Sequence, residues 1–339
     1  MKNGAVFTQT NEANGNRVIA FRRGASGYLD GLTSYETGGA GDGVPHLTSQ
    51  GSVVLARDGT RLLVTNGGSN DISLFTVGSN GLELLQTVSS GGEAPKSVAE
   101  HGGLVYVANT GDTCLVGFRL SETGVEPIAD AKVQLPAGAD PAQVGFSPDG
   151  STLVVTDRGA NSIALYPVDA QGRLGQPEVQ PSSGPTPYGF AFAGIGTLVV
   201  TEAFGAEKGK AAASSYTVSG MSAAPVSRSV GNGRSEICWA VVGADNRYVF
   251  TTNFADSAVS RYAIGSDGSI TLDEAVAGVG VEGQPGLRDE ALSSDGNFLY
   301  AIDAEGRRIF GWAVADGGKL VPVGSWEGVP ATVAGLAAS

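Results

Sequence analysis

The 339-residue chain is 41% hydrophobic, ample for a buried core, and its 52 glycines are spread at intervals that read as many turns. A formal charge of −13 with no Lys/Arg cluster argues against a phosphate-tracking groove and against binding at an anionic membrane surface. Two cysteines, Cys114 and Cys238, are too few for a disulfide framework or a zinc cage, and no apolar run reaches the roughly 18 residues of a membrane helix.

One unit recurs along the chain. It begins with VFTQTN (6–11) followed by VIAF (18–21), and returns as LLVTN (62–66) with ISLF (72–75) and VYVAN (105–109) with LVGF (115–118). The later copies are LVVTD (153–157) with IALY (163–166), LVVTE (198–202) with SSYTV (214–218), VFTTN (249–253) with AVSRY (258–262), and LYAID (299–303) with RIFGW (308–312). The spacing of about 43–55 residues is that of a propeller blade, and apolar residues alternate as in half-buried strands. Segments such as LELLQTV (82–88) supply a fourth, outer strand, and no stretch has helical periodicity. The expected fold is therefore all-β, a seven-bladed β-propeller, with residues 1–339 forming one domain.

Before each second strand lies an apolar innermost strand: SVVLA (52–56), SVAEH (97–101), QVGFS (143–147), GFAFA (189–193), WAVVG (239–243), DEALS (289–293) and TVAGLA (332–337). The chain starts on a second strand and ends on an inner one. The expected closure pairs 332–337 with the N-terminal strands, so that no sheet edge is left open.

Short turns such as Asp58-Gly59, Asp149-Gly150 and Asp295-Gly296 join inner to second strands on one face. Longer, variable loops at 38–50, 136–142, 181–187 and 278–286 crowd the other face, which marks that face for function. Aligning the inner strands gives rings around the channel. The outermost holds Gly51, Lys96, Ala142, Tyr188, Cys238, Arg288 and Ala331; the next holds Ser52, Ser97, Gln143, Gly189, Trp239, Asp289 and Thr332. Deeper residues, Val54, Ala99, Gly145, Ala191, Val241, Ala291 and Ala334, are small and apolar. A polar vestibule above a narrow neck is expected.

Lys96 and Arg288 are the cations of the outermost ring and could hold an anionic ligand, with Arg288 gripping a carboxylate or pairing instead with Asp289 or Glu290. Second strands finish in Asn66, Asn109, Asp157, Glu202, Asn253 and Asp303, where Asn and Asp cap turns through the side chain. Glu202 fits that role poorly, which makes it the candidate base; the segment that follows it, 203–214, is either a lid or a surface loop. His46, in the loop before the first inner strand, is a second candidate. No metal-type His pair, GxSxG elbow or phosphate loop is present, so neither a metal nor a cofactor is expected.

The strings FSPDG (146–150), LLVTNGGSNDISLF (62–75) and VTDRGANSIALY (155–166) resemble the lactonase family of seven-bladed propellers, which includes a bacterial 6-phosphogluconolactonase and fungal carboxymuconate lactonizing enzymes. A bacterial branch of that family is suggested by SQG (49–51), TPYGFAF (186–192), VVTEAFG (199–205) and ICWAVV (237–242). The resemblance spans essentially the whole chain. It implies a catalytic His, two Arg and a Glu, which fall by repeat position on Ala142, Tyr188, Arg288 and Glu202, so two of the four remain.

Two functions stand on this basis. One is an enzyme that opens or forms a small anionic lactone or related unsaturated acid. Glu202 and Arg288 would be its catalytic residues, with Lys96, Gln143, Tyr188, Trp239, Asp289 and His46 around the substrate. The other is a non-catalytic propeller that binds a small ligand or a protein partner on its loop face. No nucleic acid or membrane partner is expected. MKNGAVFTQTN enters a strand directly, so the expected location is cytoplasmic, or exported with the signal absent from this sequence.

Overall fold

A computed structural model describes residues 4–45, 47, 50–194 and 196–339. Among these residues, strands form seven four-stranded antiparallel sheets. The inner strands are Val53–Leu55, Pro95–His101, Pro141–Phe146, Pro187–Ala193, Ile237–Val242, Leu287–Leu292 and Ala334–Ala338. Each is hydrogen-bonded to a second strand that leads outward to the third and fourth. Successive inner strands pack side by side, and the last packs on the first, so the blades make a closed ring. Blade 1 here denotes the sheet containing the N-terminal strand Gly4–Gln9, and blades 2 to 7 follow in chain order.

Closure occurs as expected, with a shift of two residues. The last inner strand begins at Ala334, and it pairs with the N-terminal strand through Val6 opposite Ala338 and Thr8 opposite Leu336. Ala331 and Thr332 lie in the preceding turn, outside the inner-strand rings. There the Thr332 hydroxyl donates to the Thr10 carbonyl at 2.6 Å.

The core lies between blades and inside each blade, built from buried Val, Leu, Ile and Phe of the inner three strands. Buried tyrosines reach across blade boundaries. Tyr106 donates its hydroxyl to the Gly172 carbonyl at 2.8 Å, and Tyr300 donates to the Gly27 carbonyl at 2.7 Å. Each hydroxyl thus finds the partner that burial demands. The Asp-Gly turns close as their composition requires: Gly150 has φ 73° and Gly296 has φ 69°, where a side chain would be strained. Beside them Asp149 accepts from the Ser147 hydroxyl, and Asp295 from the Ser293 hydroxyl, both at 2.6 Å.

Candidate functional site

Among the described residues, Gln50 crosses the loop-face mouth where an open vestibule was expected, and Leu47 is buried. Gln50 donates its backbone N–H to the Ala142 carbonyl at 3.0 Å, and its own carbonyl accepts from the Ser97 hydroxyl at 2.6 Å. Its side-chain amide donates to the Ala240 carbonyl at 3.0 Å and accepts the Ala240 N–H at 3.1 Å. One residue therefore links the inner strands of blades 3, 4 and 6. Gly189 makes the crossing possible, because a Cβ there would collide with Gln50 Oε1. Sequence spacing could show that the 38–50 loop is long, but not that Gln50 bonds across the ring.

Beneath this clamp the channel is a cavity of about 450 Å³, bounded at its closed end by Gln50, Gln143, Trp239, Asp289 and Glu290. Its walls are Val54, Ala99, Gly145, Val241 and Ala291, and its far rim includes Leu55, Glu100, Phe146 and Leu292. Exposure is mixed along the strands: Gln50 and Gln143 at the clamp are half-buried, as are Val54, Val241 and Leu292, while Trp239, Asp289, Ala99, Phe146 and Ala291 are buried.

Asp289 is the titratable group at the floor that is poised near neutrality. Burial pushes its carboxyl up to about 7, against the lowering effects of the Gly335 N–H, the Arg288 charge and a hydrogen bond from the Trp239 side chain. Gly335, with φ 67°, turns its N–H toward this carboxylate. Glu290, the next residue, was not singled out by sequence reasoning. It is 4% exposed, and burial together with the nearby Asp289 charge raises its carboxyl well above the usual range, the Thr252 backbone N–H acting the other way. The string DEALS held the signal: two adjacent acids inside an inner strand that is mostly buried.

The remaining candidates divide. Gln143 reaches blade 5, where its Oε1 accepts the Phe190 N–H at 2.6 Å and its Nε2 donates to the Phe190 carbonyl at 3.2 Å. Tyr188 is buried against Trp239, ring centroids 5.6 Å apart, with the Arg158 guanidinium 5.0 Å from its ring. Burial raises its phenol well above its ordinary value. Both aromatics pack with Ala142 and Cys238 behind the floor.

Arg288 is 3% exposed and turned up under the loop. It donates to the Pro45 carbonyl, lies 3.5 Å from Glu305 and sits 4.9 Å from the Phe254 ring. Its direct contacts thus run to groups other than the adjacent acids that the sequence had suggested as salt-bridge partners, while its charge still acts on Asp289. Lys96 is half-buried at the loop-face start of Pro95–His101 and does not line the cavity. His46 lies outside the described residues.

Glu202 points into its own blade. Its Oε1 accepts the Gly184 N–H at 2.8 Å, the Ser214 hydroxyl at 2.6 Å and the Ser182 hydroxyl at 3.4 Å, and its Oε2 accepts the Ser229 hydroxyl at 2.7 Å. This is the work that Asn and Asp do at equivalent positions: Asp157 accepts the N–H groups of Asp140 and Gly159 at 2.8 and 2.9 Å. Glu does it with a longer arm and three serines. The structure does not bring Glu202 to the cavity or to Asp289. The segment after it makes a short 3₁₀ turn at Phe204–Ala206, and its hydrogen bonds run to Pro185, Thr186 and Ser235 in neighbouring loops.

Among the described residues no group of three metal-ligating side chains is gathered, and no helix is long and apolar enough to cross a membrane. Both cysteines are free and buried, Cys114 in blade 3 and Cys238 in blade 6.

The closed ring with a cavity along its axis defines a seven-bladed propeller. The chain belongs to the family described as Lactonase, 7-bladed beta-propeller, which matches residues 2–126 and 125–203, more than half its length. Among solved structures it is similar to a Lactobacillus plantarum protein (TM-score 0.76, 16% identity, all of both chains covered). It is also similar to a periplasmic gluconolactonase from Pseudomonas aeruginosa (TM-score 0.73, 18% identity, 97% of each chain). A third likeness is to a Bacteroides fragilis protein assigned as a 6-phosphogluconolactonase (TM-score 0.75, 16% identity, 99% of this chain and 98% of that one). At these identities the structural likenesses establish the fold alone. No curated protein matches the chain by sequence.

Proposed function

We propose that this chain hydrolyses a small neutral lactone in the axial channel, with Asp289 as the general base. Membership of the lactonase family supports the reaction class. The observation that carries the assignment to Asp289 is its carboxyl at the channel floor, poised at about 7, where a base can both take and return a proton. Ionised Asp289 removes a proton from water as the water oxygen attacks the lactone carbonyl. The tetrahedral intermediate collapses with cleavage of the ring C–O bond, and Asp289 returns the proton to the departing alkoxide, leaving a hydroxy acid.

An uncharged substrate suits the floor better than the anionic one expected from Lys96 and Arg288. The Asp289 carboxyl stands there, while Arg288 is turned toward Pro45 and Glu305. Cyclisation would bring a free carboxylate against the same acid, which disfavours that direction. A binding-only propeller is the second reading, supported by the loss of Glu202 to the frame of its blade.

The test is a panel of γ- and δ-lactones with product acid measured directly. Wild-type kcat should rise with pH through about 7, and Asp289→Asn should lose at least ~10²-fold in kcat. Turnover that survives Asp289→Asn with an unchanged pH profile would remove Asp289 from the mechanism. No turnover across the panel would leave the binding reading.

A further inference from the structure

We infer that the loop-face end of the axis holds a carboxylate subsite, with the Tyr188 hydroxyl as its central donor between the guanidiniums of Arg158 and Arg288, and that the hydroxy acid released from the lactone is its ligand. The subsite follows from these side chains alone; the choice of the product as ligand rests on the lactone reading.

Three blades contribute. Arg158 follows the second strand Thr152–Asp157 of blade 4, Tyr188 stands in the inner strand Pro187–Ala193 of blade 5, and Arg288 in the inner strand Leu287–Leu292 of blade 7. The Arg158 guanidinium lies 5.0 Å from the Tyr188 ring. The Tyr188 phenol and the Cys238 thiol both act electrostatically on each guanidinium, so the two cations flank one small cluster.

What this cluster lacks is an acceptor. Among the described residues, neither the Tyr188 hydroxyl nor Arg288 Nε has a hydrogen-bond partner, although each residue is only 3% exposed. Tyr106 and Tyr300, equally buried, both donate to carbonyls, as a buried hydroxyl normally does. Burial keeps the Tyr188 phenol protonated at neutral pH, so it stays a donor. The acids that pair the two arginines stand toward solvent. Asp140, 2.6 Å from Arg158, has a side chain 48% exposed, and that of Glu305, 3.5 Å from Arg288, is 54% exposed. Water screens those acids more than it screens the buried guanidiniums, which leaves positive potential on the inner side.

A carboxylate with one oxygen on the hydroxyl and the other on a guanidinium meets both needs. The hydroxy acid formed at Asp289 is such an anion. Trp239 links the two places: its side chain hydrogen-bonds Asp289, and its ring lies 5.6 Å from that of Tyr188.

The experiment titrates 4-hydroxybutyrate and its uncharged match, 4-hydroxybutanamide, calorimetrically into wild type, Tyr188→Phe and Arg158→Gln. The lactone panel is assayed for turnover in parallel. Wild type should bind the acid at least ~tenfold more tightly than the amide. Tyr188→Phe deletes a hydroxyl that has no partner in the folded chain, so its melting temperature should hold while its affinity for the acid falls about tenfold or more. Arg158→Gln, on another blade, should lose the preference for acid over amide. Acid and amide bound alike by wild type, binding of neither, or full acid affinity in Tyr188→Phe would overturn the inference. Acid binding that needs Tyr188, found without turnover, leaves the subsite standing and removes the hydrolysis. Turnover without acid binding leaves the hydrolysis standing and removes the subsite.

Discussion

Gln50 and Ala240, 190 residues apart in the chain, hold each other through two hydrogen bonds, amide to carbonyl at 3.0 Å and N–H to amide oxygen at 3.1 Å. The side-chain amide acts as one residue of an extra strand beside the inner strand of blade 6. Through it a loop from between blades 1 and 2 is tied to the opposite side of the ring. Two neighbouring contacts, Ser97 hydroxyl to Gln50 carbonyl and Val144 N–H to the Ser97 hydroxyl oxygen, extend the network over blades 3 and 4.

Gln50→Ala should therefore destabilise the protein by about 1–3 kcal/mol, since it leaves a backbone donor and acceptor of Ala240 without their partner in the channel. Urea unfolding measures it. Wild-type stability in the variant would mean that the clamp is not made in solution.

The pH dependence of stability has a definite sign. The Asp289 carboxyl titrates at about 7 in the folded chain, against 3.8 for the ordinary group. A raised acid favours the folded state while protonated, so its contribution is complete below about pH 4 and is lost as pH climbs through 7. Glu290, raised by burial, acts in the same direction. Asp289→Asn should remove the Asp289 share of that decline, up to about 4 kcal/mol between pH 4 and 8. Calorimetric unfolding at several pH values tests it, and an equally steep decline in the variant would place the titration elsewhere.

Glu202→Gln should cost stability with no first-order effect on chemistry. One carboxylate oxygen becomes an NH₂ that faces hydroxyl and N–H donors from Ser182, Gly184, Ser214 or Ser229. A loss of about 1–3 kcal/mol is expected. A variant with unchanged melting temperature and abolished turnover would restore Glu202 as a base.

Deleting residues 332–339 removes the inner strand Ala334–Ala338 and the bond from Arg23 Nε to the Ser339 carbonyl at 2.9 Å. It also bares the edge of Gly4–Gln9. The truncated chain should lose several kcal/mol, a large part of the stability typical of a folded domain. A truncated chain that melts at the wild-type temperature would show that closure contributes little.

Seven copies of a strand ending in Thr-Asn or a near match were enough to read the blades, because each repeat must bury its apolar face on the next and so writes its period into the chain. The ring closure was legible to within two residues. It slipped because the last inner strand starts after a turn, at Ala334, where Thr332 bonds to Thr10 and cannot be part of the ring. Trp239, Gln143 and Asp289 were placed by the same alignment, and the structure does bring them to one floor.

The working end of the channel was another matter. Loop length pointed to one face, and Gln50 crosses its mouth. Glu202 looked exceptional by residue type until three serines, two on separate strands and one in the loop at Ser182, came to meet it. Residue order alone determined the fold, the number of blades and which side chains could share a ring, since these follow from local alternation and repeat spacing. How the mouth is crossed, which acid is consumed by the frame and which is left at the floor were decided by contacts between residues up to 190 positions apart. Hydrogen-bond partnership and burial at that range have no period for a sequence to display.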